Sequence, residues 1–322
     1  MLSPLAIELP TFLLGLLFGS FLNVCISRLP YHESIVKPRS HCPRCLATIA
    51  WYDNIPLLSF LLLRAKCRSC KSTIPWRYPL VELATGLWFL NQAFGFTLFW
   101  NLTHLDSHLP FALSPAMKAM DSTAILSFST NSLALAILGF LLIGLLVMDW
   151  QTHTLPDAFT LTGTALGFIF TCAQSLFLFP HEGEVLLHGR NPLTSPGNVT
   201  DAGNVILTGT EHLILGRLLA IALAFLLLFT LRAIYKAIRH RDGLGLGDAK
   251  LLAMLAAFLG FWPAILALFI GVILASIYAV SLLIRRRADS ATHLPLGTFI
   301  SIGGLIAALT GSAIITWYTS LF

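Results

Sequence analysis

Eight long apolar stretches constrain this chain more than anything else in it. They run at about 9–26, 80–100, 125–148, 158–179, 213–235, 249–262, 264–284 and 295–318. A helix crosses the hydrocarbon core of a bilayer with about 20 mostly apolar residues, so each stretch is read as a membrane crossing. Composition agrees: 56% of the 322 residues are hydrophobic and 11% are charged. A soluble domain carries about 25% charged residues. So few charges cannot coat a soluble chain of this length. The reading is an all-α polytopic membrane protein of about eight transmembrane helices. Soluble globular enzymes, disordered chains and nucleic-acid-binding modules are excluded.

The run 249–284 is too long for one ordinary crossing. Phe261-Trp262-Pro263 interrupts it, and proline stops or kinks a helix, so a break is expected there. Charge placement supports two crossings. With the N-terminus outside, the inside segments hold Arg28, Lys37, Arg39, Arg44, Arg64, Lys66, Arg68, Lys71 and Arg77, then Arg232, Lys236, Arg239, Arg241 and Lys250, then Arg285, Arg286 and Arg287. Of the 20 basic residues only Lys118, Arg190 and Arg217 fall outside. Fusing the two stretches would reverse the Arg triplet against the positive-inside bias. The net charge of +5 therefore records orientation and gives no argument for nucleic acid. Both termini are expected to be extracytoplasmic. The first span has no cleavage-like small-residue site and reads as retained.

The organisation that follows is a first span (1–28), a cytoplasmic loop (29–79) and a seven-span domain (80–322). The last contains an extracytoplasmic insertion at about 180–212, rich in Gly, Asn and Thr. Asn198-Val199-Thr200 and Asn101-Leu102-Thr103 match a glycosylation sequon of a kind that is common by chance. No internal repeat is read.

The cytoplasmic loop carries Cys42-Pro-Arg-Cys45 and Cys67-Arg-Ser-Cys70. Two such knuckles let four thiolates converge on one zinc ion as a closed structural site. Two disulfides are the alternative, but cytoplasmic thiols stay reduced, and the adjacent Arg44, Lys66, Arg68 and Lys71 favour thiolates. Trp51, Tyr52, Asn54 and Pro56 between the knuckles suit a small β-rich or irregular module. Cys25 and Cys172 lie in apolar spans and read as packing residues.

Acidic residues at the edges of spans are costly and so are functional candidates. Asp149 closes the third span and Asp248 opens the sixth. In the topology above both ends face the cytoplasm and can meet. Two facing carboxylates can share a proton. One then activates water and its protonated partner polarises a carbonyl, which is peptide hydrolysis of the aspartyl type. Gly243, Gly245 and Gly247 allow close backbone approach beside Asp248. A span-edge Asp is also a common helix N-cap, a place that suits both Asp248 and Asp157. Glu82 is either a first-turn dipole partner or a site residue, and His153 reads as a loop residue.

The motifs, taken in order, resemble the type IV prepilin leader peptidases, membrane aspartyl proteases of the GxGD kind. They are Gly19-Ser-Phe-Leu-Asn-Val-Cys-Ile-Ser-Arg-Leu-Pro30, Cys42-Pro-Arg-Cys45, Asn54-Ile-Pro-Leu-Leu-Ser59, Cys67-Arg-Ser-Cys70 and Tyr78-Pro-Leu-Val-Glu-Leu83. Asp149 with Leu155-Pro-Asp157, Gly245-Leu-Gly-Asp-Ala-Lys-Leu-Leu252 and Pro295-Leu-Gly297 complete the set. The resemblance spans nearly the whole chain. It implies an enzyme of the bacterial inner membrane that cuts the basic leader of prepilins and pseudopilins on the cytoplasmic side. It also implies N-methylation of the new N-terminal residue with S-adenosylmethionine. The catalytic pair carries over to Asp149 and Asp248, with Gly245, Gly247, Asp157 and Lys250 in support. The four cysteines match a zinc loop of the methylating members. Gln151, Ala65 and Thr298 depart from the pattern, Thr298 where a second proline is frequent. No glycine signature places the methyl donor.

Two alternatives remain at this stage. One is a peptidase without methylation. The other is a transporter or scaffold that uses the zinc knuckle to hold a partner. A transporter favours acids at mid-span and a repeat.

Overall fold

The computed structural model describes residues 4–105, 115–187, 210–239, 245–285, 294–319 and 321. Most of the expected insertion, Asn198, Gly243, Arg241, Arg286 and Arg287 lie outside these residues. The described chain is mainly helical: α1 (Pro4–Arg28), α2 (Leu58–Leu62), α3 (Arg77–Leu105), α4 (Pro115–Thr152), α5 (Asp157–Leu187), α6 (Thr210–Arg239), α7 (Leu246–Leu259), α8 (Phe261–Ile284) and α9 (Leu296–Thr319). Seven of the eight apolar stretches fall on long helices, and 249–262 falls mostly on the 14-residue α7. Among the described residues, four helical segments are long and apolar enough to cross a membrane: Leu5–Tyr31, Ile125–Thr152, Ile214–Arg239 and Phe261–Ile284.

The chain divides into two compact units, Met1–Gly144 and Leu145–Phe322. In the first, α1 lies along α3. Gly15 and Gly19 stand four apart on α1, and a methyl group at Gly19 would fall 2.6 Å from the Glu82 Cα. Small residues at this spacing let two helix backbones approach closely without needing a hydrophobic driving force. Trp88 of α3 donates its indole N–H to the Leu135 carbonyl of α4 at 2.8 Å.

In the second unit, α7 is the central element, packed against α5, α6, α8 and α9. From Leu251 on its sequence is apolar on every side, and such a helix is buried all round. Asp248, Ala249 and 251–257 are all buried. At 1.5 Å per residue its 14 residues extend about 21 Å, short of a full crossing.

The break in the long apolar run differs from expectation. It falls at Gly260, not at Pro263. Gly260 has φ +91°, a value that L side chains rarely adopt. Pro263 instead lies in the first turn of α8, where a helix does not use the missing N–H. Behind the break, Arg217 of α6 is buried and donates to the Ala256 carbonyl of α7 at 3.3 Å. The same carbonyl accepts the Gly260 N–H at 3.0 Å, so Arg217 adds a second donor at this helix end.

Candidate active site and metal centre

The two sequence-predicted aspartates lie in the same unit, at helix ends. Asp149 sits in the last turn of α4. The helix stops just after it because His153 turns left-handed, with φ +52°, and its N–H closes on the Asp149 carbonyl at 2.9 Å. Asp248 sits in the first turn of α7. It is not the N-cap that the sequence suggested. Gly245 holds that place with extended backbone, and Asp248, three residues on, accepts the Gly245 N–H on Oδ2 at 3.3 Å. That is the returning half of a capping box. Both carboxylates are at least nine-tenths buried and near enough to interact electrostatically.

The third span-edge acid behaves differently. Asp157 is not an N-cap either: Pro156 is, its carbonyl accepting the N–H groups of Phe159 and Thr160. Asp157 is exposed and receives Lys250 Nζ at 2.6 Å. This pair joins the first turn of α5 to the first turn of α7.

Two residues that sequence reasoning gave no role turn out to shape the site. Leu155, in the short link between α4 and α5, is a wedge. A methyl at Gly247 would lie 2.9 Å from its Cβ, and one at Gly297 would lie 2.8 Å from its Cδ1. Leu155 thus touches the N-termini of both α7 and α9. Thr298, in the first turn of α9, gives its backbone N–H to Asp149 Oδ2 at 2.6 Å and its hydroxyl to the same oxygen at 3.0 Å. The sequence registered Thr298 only as a departure from proline. A proline has no N–H to give. A polar residue directly after the Pro295-Leu-Gly297 helix start was the available signal.

The first unit carries the candidate metal centre. The Sγ atoms of Cys42, Cys45, Cys67 and Cys70 all lie within 4.8 Å of one another, and Cys42 and Cys70 are 3.8 Å apart. A tetrahedron with Zn–S bonds of about 2.3 Å has S···S edges of about 3.8 Å, so the cluster fits zinc in both donor type and size. The backbone N–H groups of Cys45 and Arg44 pull the Cys42 thiol down to about 6. The Ser72 hydroxyl pulls Cys70 down as well. The Ala47 N–H favours a Cys45 thiolate, yet burial and the three neighbouring sulfurs push that thiol up to about 11. Four thiolates this close repel one another unless a cation sits between them.

The cluster also contains a repeat, contrary to the sequence reading. Cys42 N–H bonds the Ala47 carbonyl and Cys67 N–H bonds that of Ser72. Leu46 returns to Cys42 as Lys71 returns to Cys67, and Ile49 pairs with Ser40 as Ile74 pairs with Ala65. Leu46 and Lys71 share a left-handed φ of 59° and 58°. His41 and Thr48 form an isolated β-bridge, and so do Lys66 and Thr73. The sequence carries the matching signal, C-x-x-C-x-x-T-I-x-W, at Cys42–Trp51 and again at Cys67–Trp76. The two copies are ten residues long and begin 25 residues apart, at Cys42 and Cys67.

Glu82 is placed by the same unit. It is buried and accepts the Leu57 N–H at 2.8 Å, with the Ser20 side chain on it as well. It therefore anchors the loop to α1 and α3, rather than acting as a free first-turn charge. Arg28 holds the other end of the loop, donating to the Ser34 and Pro38 carbonyls at 2.9 and 2.8 Å.

Comparison with known proteins now bears on these sites. Residues 13–96 match the model of the bacterial peptidase A24 N-terminal domain, and residues 193–280 match the model of the type IV leader peptidase family. A prepilin leader peptidase/N-methyltransferase of Pseudomonas aeruginosa is 31% identical over 98% of this chain and 94% of its own length. The chain belongs to the type IV leader peptidase family. It is an enzyme, a peptidase of that family. The relative of the same name from Aeromonas salmonicida is 29% identical over 96% of this chain and 92% of its own. That from Neisseria gonorrhoeae is 30% identical over 95% and 91%. No solved structure matches the chain. The N-terminal match contains all four clustered cysteines and the second contains Asp248, while Asp149 lies between the two matched segments.

Proposed function

We propose that this chain is a bacterial prepilin peptidase of the inner membrane. It cleaves the basic leader of prepilins and pseudopilins by a two-aspartate mechanism and N-methylates the residue so exposed. The observation that carries the peptidase reading is the pair of buried, interacting carboxylates of Asp149 and Asp248. Gly245, Gly247, Asp157 and Lys250 support their placement. One carboxylate takes a proton from water as the water oxygen attacks the scissile carbonyl. The other gives a proton to the carbonyl oxygen. The glycine backbone beside Asp248 would receive the extended peptide.

The membrane arrangement belongs to the same proposal. The seven long helices and the short α7 make up the eight spans, with the first inside loop (29–79) forming the zinc module and 80–322 the peptidase domain. The ends bearing Asp149 and Asp248 face the cytoplasm, where the basic residues concentrate. Cys42, Cys45, Cys67 and Cys70 would hold zinc, and a closed four-thiolate site supplies folding energy to the loop. The methyltransferase half rests on the names of the relatives and on the cysteine loop of the resemblance. Its methyl donor would be S-adenosylmethionine.

The test is one assay with a prepilin substrate in membranes, read by mass spectrometry of the mature N-terminus. The expected product is leaderless and one methyl group heavier. Asp149→Asn and Asp248→Asn each abolish cleavage. Turnover retained in both variants overturns the peptidase mechanism. A leaderless product of unchanged mass overturns only the methylation.

A further inference from the structure

The two aspartates are equally buried, and each sits beside a helix N-terminus, yet their hydrogen bonding differs. Asp149 Oδ2 receives two donors from Thr298, at 2.6 and 3.0 Å. Among the described residues, Asp248 receives one, the Gly245 N–H at 3.3 Å. Donors to a carboxylate favour its charged form, and such charge-assisted bonds are the strong ones. The titratable groups facing Asp149 are His153, at the end of its own helix, and Asp248. Lys250, the nearby cation on α7, is engaged by Asp157.

We infer that Thr298 is a positioning residue that fixes Asp149 as the ionised, water-activating member of the pair and leaves Asp248 to carry the shared proton. The inference rests on the two-aspartate reading above and goes beyond it by giving the acids different tasks. The Thr298 hydroxyl has one proton and two acceptors in reach: Asp149 Oδ2 and the Leu146 carbonyl at 3.3 Å. The backbone N–H has no such choice and keeps Oδ2 an acceptor. Oδ1 is the oxygen left to take a proton.

The step then balances. An O–H bond of water breaks and its proton passes to Asp149 Oδ1, while the water oxygen bonds the scissile carbonyl carbon. The carbonyl π pair moves to its oxygen, which takes the proton of Asp248. On collapse, the hydroxyl proton returns to Asp248, the C–N bond breaks, and the leaving nitrogen takes the proton held by Asp149. Both acids end as they began.

The test compares Thr298→Val, nearly the same shape without the hydroxyl, with Thr298→Ser, which keeps both donors. Cleavage of a prepilin substrate is followed as a function of pH. The Val variant is expected to lose about 10–100-fold in kcat with KM little changed. The acid limb of its pH–rate profile moves to higher pH, because Asp149 must be ionised to accept a proton. The Ser variant stays within a few fold of the parent and keeps its profile. Thermal unfolding of each purified variant reports folding, and Thr298→Ala replaces the Val variant if that one does not purify. A Val or Ala variant with the parent kcat and pH profile overturns the inference, as does a Ser variant equally impaired. Asp149→Asn in the same assay separates the failures. If it turns over, the two-aspartate reading itself falls. If it is inactive while the Val variant is unaffected, only the role of Thr298 falls.

Discussion

Gly297 and Asp149 are fitted to each other: a methyl group on Gly297 would lie 3.1 Å from both Cγ and Oδ2 of the Asp149 carboxyl. The helix that supplies the donors of Thr298 can come this close only because the residue before Thr298 has no side chain. Gly297→Ala is therefore expected to push the carboxyl aside by a few tenths of an ångström. Activity should fall about 10–100-fold, since small misplacements of catalytic groups are expensive. The fold should survive, because the other crowded atom is the movable tip of Leu155. Turnover and thermal unfolding of the purified variant check this, and parental turnover would count against the geometry.

Lys250 and Asp157 make a different kind of contact. The pair is partly exposed, with Asp157 well open to solvent, and such ion pairs contribute about 0–1 kcal/mol. Lys250→Ala should cost less than about tenfold in activity. If the pair aligns the first turns of α5 and α7, the double exchange Lys250→Asp with Asp157→Lys should recover part of what either single exchange loses. Additive losses in the double variant would remove the pair from the supporting set.

The cysteine cluster gives a prediction about metal. Purified chain should contain about one zinc ion per molecule. The Cys42→Ser, Cys67→Ser double variant, which breaks one ligand in each knuckle, should contain almost none. Its loop should become protease-sensitive between Arg28 and Arg77, because folding energy in such modules comes from the metal. Elemental analysis and limited proteolysis read the two effects. Zinc at the parental level in the double variant would exclude the four-thiolate site.

Arg68 clamps the linker between the knuckles. It donates Nε to Asp53 Oδ2 at 2.7 Å and Nη2 to Oδ1 at 2.6 Å, with its guanidinium over the Tyr52 ring. These hydrogen bonds, helped by the charge of Arg68, hold the Asp53 carboxyl below its ordinary range. A carboxylate shifted down adds stability above its unfolded pKa of about 3.9 and loses it as pH falls through the lower folded value. The difference in loop stability between Arg68→Ala and the parent should therefore stay constant from pH 5 to 8. It should shrink in high salt, since the arginine is largely exposed. Hydrogen exchange of the loop measures it, and a difference that varies across that pH range would contradict the pairing.

The sequence by itself determined the class of the molecule. Apolar runs of about 20 residues form helices because a bilayer leaves backbone polar groups no other partner, and all eight runs are helical. It also singled out the candidates for chemistry. Four thiols in two knuckles and two scarce acids at span edges stand out in a chain with so few polar groups. The knuckle repeat is legible there too, in C-x-x-C-x-x-T-I-x-W at Cys42 and again at Cys67.

Only the tertiary structure decided how those residues are held. The helix break moved from Pro263 to Gly260, because proline is harmless in a first turn while φ +91° demands glycine. Asp248 and Asp157 lost the N-cap places that local pattern gave them. Thr298, 149 residues from Asp149, became its donor, and Leu155 became the wedge between two helix starts. The roles of Thr298 and Leu155 depend on atoms brought within about 3 Å from distant parts of the chain. Helical periodicity and span edges record what a residue needs from its own helix, and they carry no trace of the partner that packing brings to it.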